Sequence, residues 1–300
     1  MKKLSKDDKV TYIKTAFILG CATIIFLTWL WWVQIYLSKS NVFNAMLSNN
    51  LSTRGMTKHQ SEKTEGGSFA QVSQAQFGAS NLVASKVDIT QPGDGGEIKV
   101  TTRSITTPNE DYMSYASINV PTQEGKPKID FNSLYGQWAR TSSMEGGGSG
   151  FSEFAYNILM FGNFPKEQRD ELLSIIRSES VYKTDFNKTD VVKENGRTIY
   201  KYKTEVNPKG YGKLVKKYDE MLGRKQMVTL DPEQYANMPP INVEIKVDEI
   251  SRTLVGLSYS EGKSENYNGF GSHRDIDLPD NPITRQDLES KLQELLKTQQ

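Results

Sequence analysis

Residues Ile241 to Ser260 read INVEIKVDEISRTLVGLSYS, and this stretch decides the fold class. Ile241, Val243, Ile245 and Val247 alternate with Asn242, Glu244, Lys246 and Asp248, so an extended strand here has one apolar face and one wet face. Such alternation belongs to an antiparallel sheet packed on one side only. Arg252 to Ser260 can pair back on this strand across a turn at Glu249-Ile250-Ser251.

Working outward, Tyr211, Leu214, Val215, Tyr218, Met221 and Leu222 form an amphipathic helical stripe stopped by Gly223. Before it, strands are predicted at Ser178–Phe186 and Arg197–Val206, with an Asn195-Gly196 hairpin turn ahead of the second. Phe151, Phe154, Ala155, Ile158 and Leu159 have helical spacing, and Pro165 opens a second helix with Leu172, Leu173 and Ile176 on one side. The Gly-rich break at 142–150 separates these helices from a meander of Glu97–Ile105, Tyr112–Val120 and Ile129–Arg140, with a turn at Gln123–Lys126. In its middle strand Ala116, Ile118 and Val120 share one face, and Met113 and Tyr115 the other. Ser52 to Gly96 is polar and reads as one or two weak strands. Beyond the deciding stretch, Asn266–Leu278 is a further strand that Pro279 and Pro282 end, and Leu288, Leu292, Leu295 and Leu296 stripe a last helix. The order is that of an α+β domain around one large antiparallel sheet.

The N-terminal end differs. Thr15 to Ser38 holds 24 residues without a charge. As a helix it reaches roughly 36 Å, enough to cross a ~30 Å hydrocarbon core. Trp29, Trp31, Trp32 and Tyr36 crowd its C-terminal end, where amphipathic rings favour the headgroup layer. The first 14 residues carry five lysines and two aspartates, a net +3 that leaves the remainder at −2. By the positive-inside rule the N-terminus is cytoplasmic and everything after Ser38 extracytoplasmic. Two other readings compete. A cleaved signal peptide lacks a small-residue cleavage site after Val33, and Ile18-Leu19-Gly20-Cys21 resembles a lipobox but runs on into apolar sequence. The expected organisation is a cytoplasmic tail (1–14), a transmembrane helix (15–38), a juxtamembrane helix with the first weak strands (39–96, the helix from Asn41 to Leu51), and the rest of one extracytoplasmic domain (97–300).

Chemistry-bearing motifs are absent. Gly262-Lys263-Ser264 evokes a P-loop, yet Leu257 stands where its first glycine belongs. Gly147 to Phe151 misses a nucleophile elbow because position 151 is not glycine. His59 and His273 have no partners at ligand spacing, and the one cysteine, Cys21, excludes a disulfide framework. No metal or other cofactor and no catalytic set is expected. A net charge of +1 supplies no basic field for nucleic acid.

From Leu134 to Gln300 the chain resembles the LolA-like superfamily, in particular its LppX/LprG-type bacterial envelope lipoproteins. The likeness lies in LYGQWAR (Leu134–Arg140), the helical insert Phe151–Ser178, NVEIKVDEISRTLVGLSYS (Asn242–Ser260) and the closing YNGFGSHRDIDLPDNPIT (Tyr267–Thr284). It departs from the family in carrying a transmembrane helix where many members have a signal peptide and lipobox. The resemblance implies a curved antiparallel half-barrel with helices covering one side, enclosing an apolar cavity for a lipid or lipoprotein acyl chain. Its candidate walls here are Leu134, Trp138, Phe154, Ile158 and Phe161. The implied partners are the lipid bilayer, such an acyl chain and a membrane protein. A structural or sensory interaction module with a filled core, and more remotely an extracytoplasmic hydrolase, are the other readings.

Overall fold

The computed structural model describes residues 6–93, 95–122, 128–142, 145–224, 226–259, 263–272 and 275–297. The turn expected at Gln123–Lys126 and His273 lie outside them, as does Gly262 of the P-loop near miss.

The apolar segment forms α1 (Lys6–Trp31), which runs on into a π-helical turn over Trp32–Tyr36. Lys14–Tyr36 is long and apolar enough to cross a membrane, and none of its most apolar window is buried against the rest of the chain. After Ser38, α2 (Lys39–Asn50) turns onto the domain and buries Val42, Phe43, Met46 and Leu47. These are the four residues whose spacing marks the helix in sequence. Each fully buried side chain of this size contributes about 1.5–3 kcal/mol.

Among the described residues thirteen strands make one sheet: β1 (Gly55–Thr64), β2 (Gly67–Gln76), β3 (Leu82–Gly93), β4 (Gly96–Thr106), β5 (Asp111–Asn119), β6 (Ala139–Thr141), β7 (Tyr182–Thr184), β8 (Asp190–Glu194), β9 (Arg197–Val206), β10 (Ile241–Asp248), β11 (Leu254–Tyr259), β12 (Ser264–Asn268) and β13 (Ile283–Thr284). Their order is β13-β6-β5-β4-β3-β2-β1-β12-β11-β10-β9-β7, with β8 also on β9. Every pairing is antiparallel except β13 on β6. The helices are completed by α3 (Ser149–Ala155), α4 (Lys166–Ser178), α5 (Pro208–Met221) and α6 (Arg285–Lys297).

β10 occupies Ile241–Asp248, the limits its alternation predicts, and buries Val243, Ile245 and Val247. Asn195 and Gly196, both at positive φ (51° and 77°), make the β8–β9 hairpin turn. Four expectations need correction. The polar stretch 52–96 holds three long strands inside the sheet, because ladder hydrogen bonds do not require apolar side chains. Ile129–Arg140 is not a strand; a 3-10 turn at Asn132–Leu134 leads only to β6. Ser178 ends α4, so the strand expected from it begins at Tyr182. The last long strand stops at Asn268 rather than Leu278.

Residues opposite each other across a ladder share a face. Tyr202, Ile245, Leu257, Glu265 and Gln60 fall on one face by this register. That face carries a large core formed with α2, α3, α4 and α5, including Phe43, Met46, Phe151, Leu159, Leu172, Leu214 and Tyr218. A smaller cluster of Phe131, Leu134, Ala139 and Leu288 sits under α6 near β5 and β6.

Candidate functional site

Tyr211, Leu214, Val215 and Tyr218 lie at i, i+3, i+4 and i+7 along α5, and the chain after it folds back over the helix. Residues 226–240 are stapled there by three side chains of α5. Asp219 accepts from the Met227 amide at 3.0 Å, Lys209 pairs with Glu233 at 2.6 Å, and Lys216 donates to the Leu230 carbonyl at 3.4 Å. A 3-10 turn, Pro232–Tyr235, is capped by the Asp231 carboxylate, which accepts from the Glu233 amide. Pro232 packs close to Gly212 of α5.

Between helix and loop lies an apolar groove of about 610 Å³. Val215, Met227, Leu230, Met238 and Ile241 line it, with the Tyr211 and Tyr235 rings and Pro208, Pro239 and Pro240. Met238 and Ile241 are 53% and 46% exposed, so this apolar wall faces solvent. The volume lies within the ~300–1,000 Å³ of small-molecule sites.

Tyr156, Tyr211 and Ile241 are shared with a second recess of about 340 Å³, whose other walls are mostly polar: Lys58, Gln60, Glu153, Asn157, Tyr259, Lys263 and Glu265. Groove and recess therefore adjoin. In the recess the buried Glu265 carboxylate accepts from the Tyr267 hydroxyl and, at 2.7 Å, from Asn157 Nδ2. Tyr259 donates to Asn157 Oδ1 at 3.0 Å, and the Tyr211 hydroxyl lies 2.8 and 2.7 Å from the carbonyls of Tyr156 and Asn157. Burial pushes the Tyr211 and Tyr259 phenols well above their ordinary range. It lowers the Lys58 ammonium, against the opposing charge of Glu265.

No family model and no curated protein matches this chain. Among solved structures, a LolA superfamily protein from Nitrosomonas europaea aligns over 83% of this chain and 99% of its own, at 8% identity and a TM-score of 0.23. Similarity that low carries no argument by itself; the groove and recess do.

The sequence-predicted wall is divided. Phe154 and Phe161 are buried in the main core with ring centroids 6.4 Å apart, and Ile158 is half-buried at the wall of the recess. Leu134 belongs to the separate cluster under α6, and Trp138, half-buried, precedes β6 beside it. In the apolar N-terminal segment, Trp29, Trp31 and Trp32 are exposed, and Trp32 stacks on Tyr36 at 4.3 Å. Among the described residues no group of His, Cys, Asp or Glu has the makings of a metal site.

Sequence reasoning missed Lys58, Asn157, Glu265 and the Met238–Ile241 wall. Met-Pro-Pro leading into Ile241 of the best strand carried a signal, since an apolar run with two prolines fits neither helix nor strand interior. Lys58 carried none, because β1 is polar on both faces beyond Met56.

Proposed function

We propose that this chain is a membrane-anchored extracytoplasmic domain that binds an apolar or amphipathic ligand, as a carrier or sensor rather than a catalyst. The observation that carries the reading is the open apolar groove of about 610 Å³ adjoining a polar recess. In this reading α1 spans the bilayer with the lysine-rich end in the cytoplasm, its tryptophans at the outer headgroup layer, and the sheet wraps around its helices as a half-barrel of LolA type. Phe154, Ile158 and Phe161 then back the ligand site, while Leu134 and Trp138 support the far end of the sheet.

Burying a methylene contributes about 0.8 kcal/mol, close to fourfold in affinity. The full chain, moved from detergent into amphipol, is titrated with n-alkanols of eight to fourteen carbons. Affinity that climbs by roughly that factor per carbon until the groove is full, and collapses in Met238→Gln with Ile241→Thr, supports the reading. A flat series, the same in both proteins, overturns it.

The second reading, an interaction module of a membrane complex, draws on the filled core. Phe151, Leu159, Leu172 and Tyr202 are fully buried among one another's neighbours, and the space for a ligand lies beside the core instead of inside it.

A further inference from the structure

The polar recess contains a cation that makes no hydrogen bond among the described residues. Lys58, 6% exposed on β1, faces the core side of the sheet. Its ammonium lies 5.4 Å from the centre of the Phe154 ring and 3.9 Å from Glu265 Oε1, beyond hydrogen-bond length. Glu265 is a shared partner: its Oε2 accepts from Tyr267 and Asn157, while its Oε1 is divided between Lys58 and Lys263, whose Nζ stands 3.5 Å away. Two lysines thus share one buried carboxylate, with the exposed Glu153 at the recess wall.

An ammonium held mostly inside the protein is best placed where acceptors can reach it. Lys58 lines the recess, which shares Tyr156, Tyr211 and Ile241 with the adjoining apolar groove. We infer that the recess receives the anionic head of a single-chain amphiphile, a carboxylate or phosphate monoester, on Lys58 with Lys263 beside it, while its tail lies in the groove along Val215, Met227 and Met238. This rests on the groove reading above and adds the class of head group. The order of parts fits such a molecule: a charged end where the walls are polar, and an apolar chain where they are Met, Pro and Tyr. Burial already lowers the Lys58 pKa, so a bound anion would also favour the protonated amine it pairs with.

The test compares dodecanoate, dodecyl phosphate and dodecanol, which share one tail, by equilibrium dialysis against the full chain in amphipol. The expected result is that at least one anionic ligand binds tenfold or more tighter than dodecanol, and that Lys58→Met brings them within about twofold. Whichever anion binds better identifies the head. The comparison on the unmodified protein needs no variant, so misfolding of Lys58→Met does not blunt it. Equal binding of all three, lost in Met238→Gln with Ile241→Thr, overturns the head-group assignment while the groove reading stands; Lys58 would then be hydrated from the small cavity of about 210 Å³ that it also lines. No binding of any of the three overturns both.

Discussion

The guanidinium of Arg252 lies over the ring of Tyr36, 3.4 Å from its centroid, and its Nη2 donates to the Tyr36 carbonyl oxygen at 2.5 Å. The last carbonyls of a helix have no partner inside it. Here the folded domain supplies several. Asn41 donates to Ile35 at 2.6 Å, and the Tyr200 hydroxyl lies 3.1 Å from the Leu37 carbonyl and 2.5 Å from Glu249. One step further on, Tyr202 donates to the Lys39 carbonyl at 2.8 Å. The end of the apolar helix is therefore joined to β9 and to the β10–β11 turn as one body. Arg252→Ala should uncouple them. With spin labels at Cys21 and at a Ser61→Cys site, the distance distribution should broaden in the variant and stay narrow in the parent. An unchanged distribution would show that the other bonds suffice.

Asp219 is the hub of a buried network. It accepts from the Tyr156 hydroxyl and the Met227 amide, and Arg224 Nε lies 3.7 Å from Oδ1. Arg224 is itself buried against the rings of Phe151 and Tyr156, and its Nε and Nη1 make no hydrogen bond. Removing the carboxylate strands that charge, a change that costs about 3–5 kcal/mol in buried pairs. Asp219→Ala should lower urea stability by that order, and Asp219→Ala with Arg224→Met should recover most of it. A loss below about 1 kcal/mol in the single variant would mean that Arg224 finds water instead.

Stability should fall in alkali. Burial holds the phenols of Tyr156, Tyr182, Tyr200, Tyr202, Tyr211, Tyr218, Tyr259 and Tyr267 above their ordinary pKa. In the unfolded chain tyrosine ionises near pH 10. Above that pH the folded state keeps protons that the unfolded state has lost, so the stabilisation is complete below about pH 10 and drains away as pH rises. The lowered pKa of Lys58 acts in the opposite sense, but it is one group against these eight, with Tyr112 and Tyr115 raised by burial as well. Phenolate absorbance from these rings should therefore rise above the pH of about 10 at which tyrosine in an unfolded chain ionises, together with loss of the far-ultraviolet sheet signal. A single smooth titration without unfolding would contradict the burial of these rings.

The sheet could be read from sequence where one face is apolar and the other charged, as in β10, and where a helical stripe is unbroken, as in α2 and α5. At β5 the strand itself was legible, over Tyr112–Val120, but its two faces were misread for a specific reason. Thr101 pairs with Ser117 and Thr102 with Tyr115, so Ala116 is an extra residue in a bulge. The bulge reverses the alternation. Met113, Tyr115, Ile118 and Val120, read as two faces, all pack into the cluster under α6. The hairpins of β1 to β3 were faint because Ser73 and Ser85 meet as hydroxyls, 2.8 Å apart, where an apolar pair would have announced a core. The site was illegible for a related reason. Lys58 and Glu265 meet only because β1 lies next to β12, a neighbour more than two hundred residues away in sequence.

The loop before α3 offers a test in which backbone strain and steric contact separate. Gly148 caps the helix at φ 83°, a left-handed conformation, and a Cβ placed there would stand 2.4 Å from the Pro108 carbonyl oxygen. Gly136 has a similar φ of 73°, but a Cβ there would meet nothing within 4 Å. Both alanine variants incur the left-handed penalty of about 1–2 kcal/mol. Only Gly148→Ala must also push the Pro108 turn away from α3, which the Asp111 carboxylate holds by accepting from the Ser149 amide and hydroxyl at 3.0 and 2.9 Å. Gly136→Ala should therefore cost about 1 kcal/mol in urea unfolding, and Gly148→Ala at least twice as much. Equal costs would mean that the turn yields freely, and that α3 is held by its buried Phe151 and Phe154 and not by its cap.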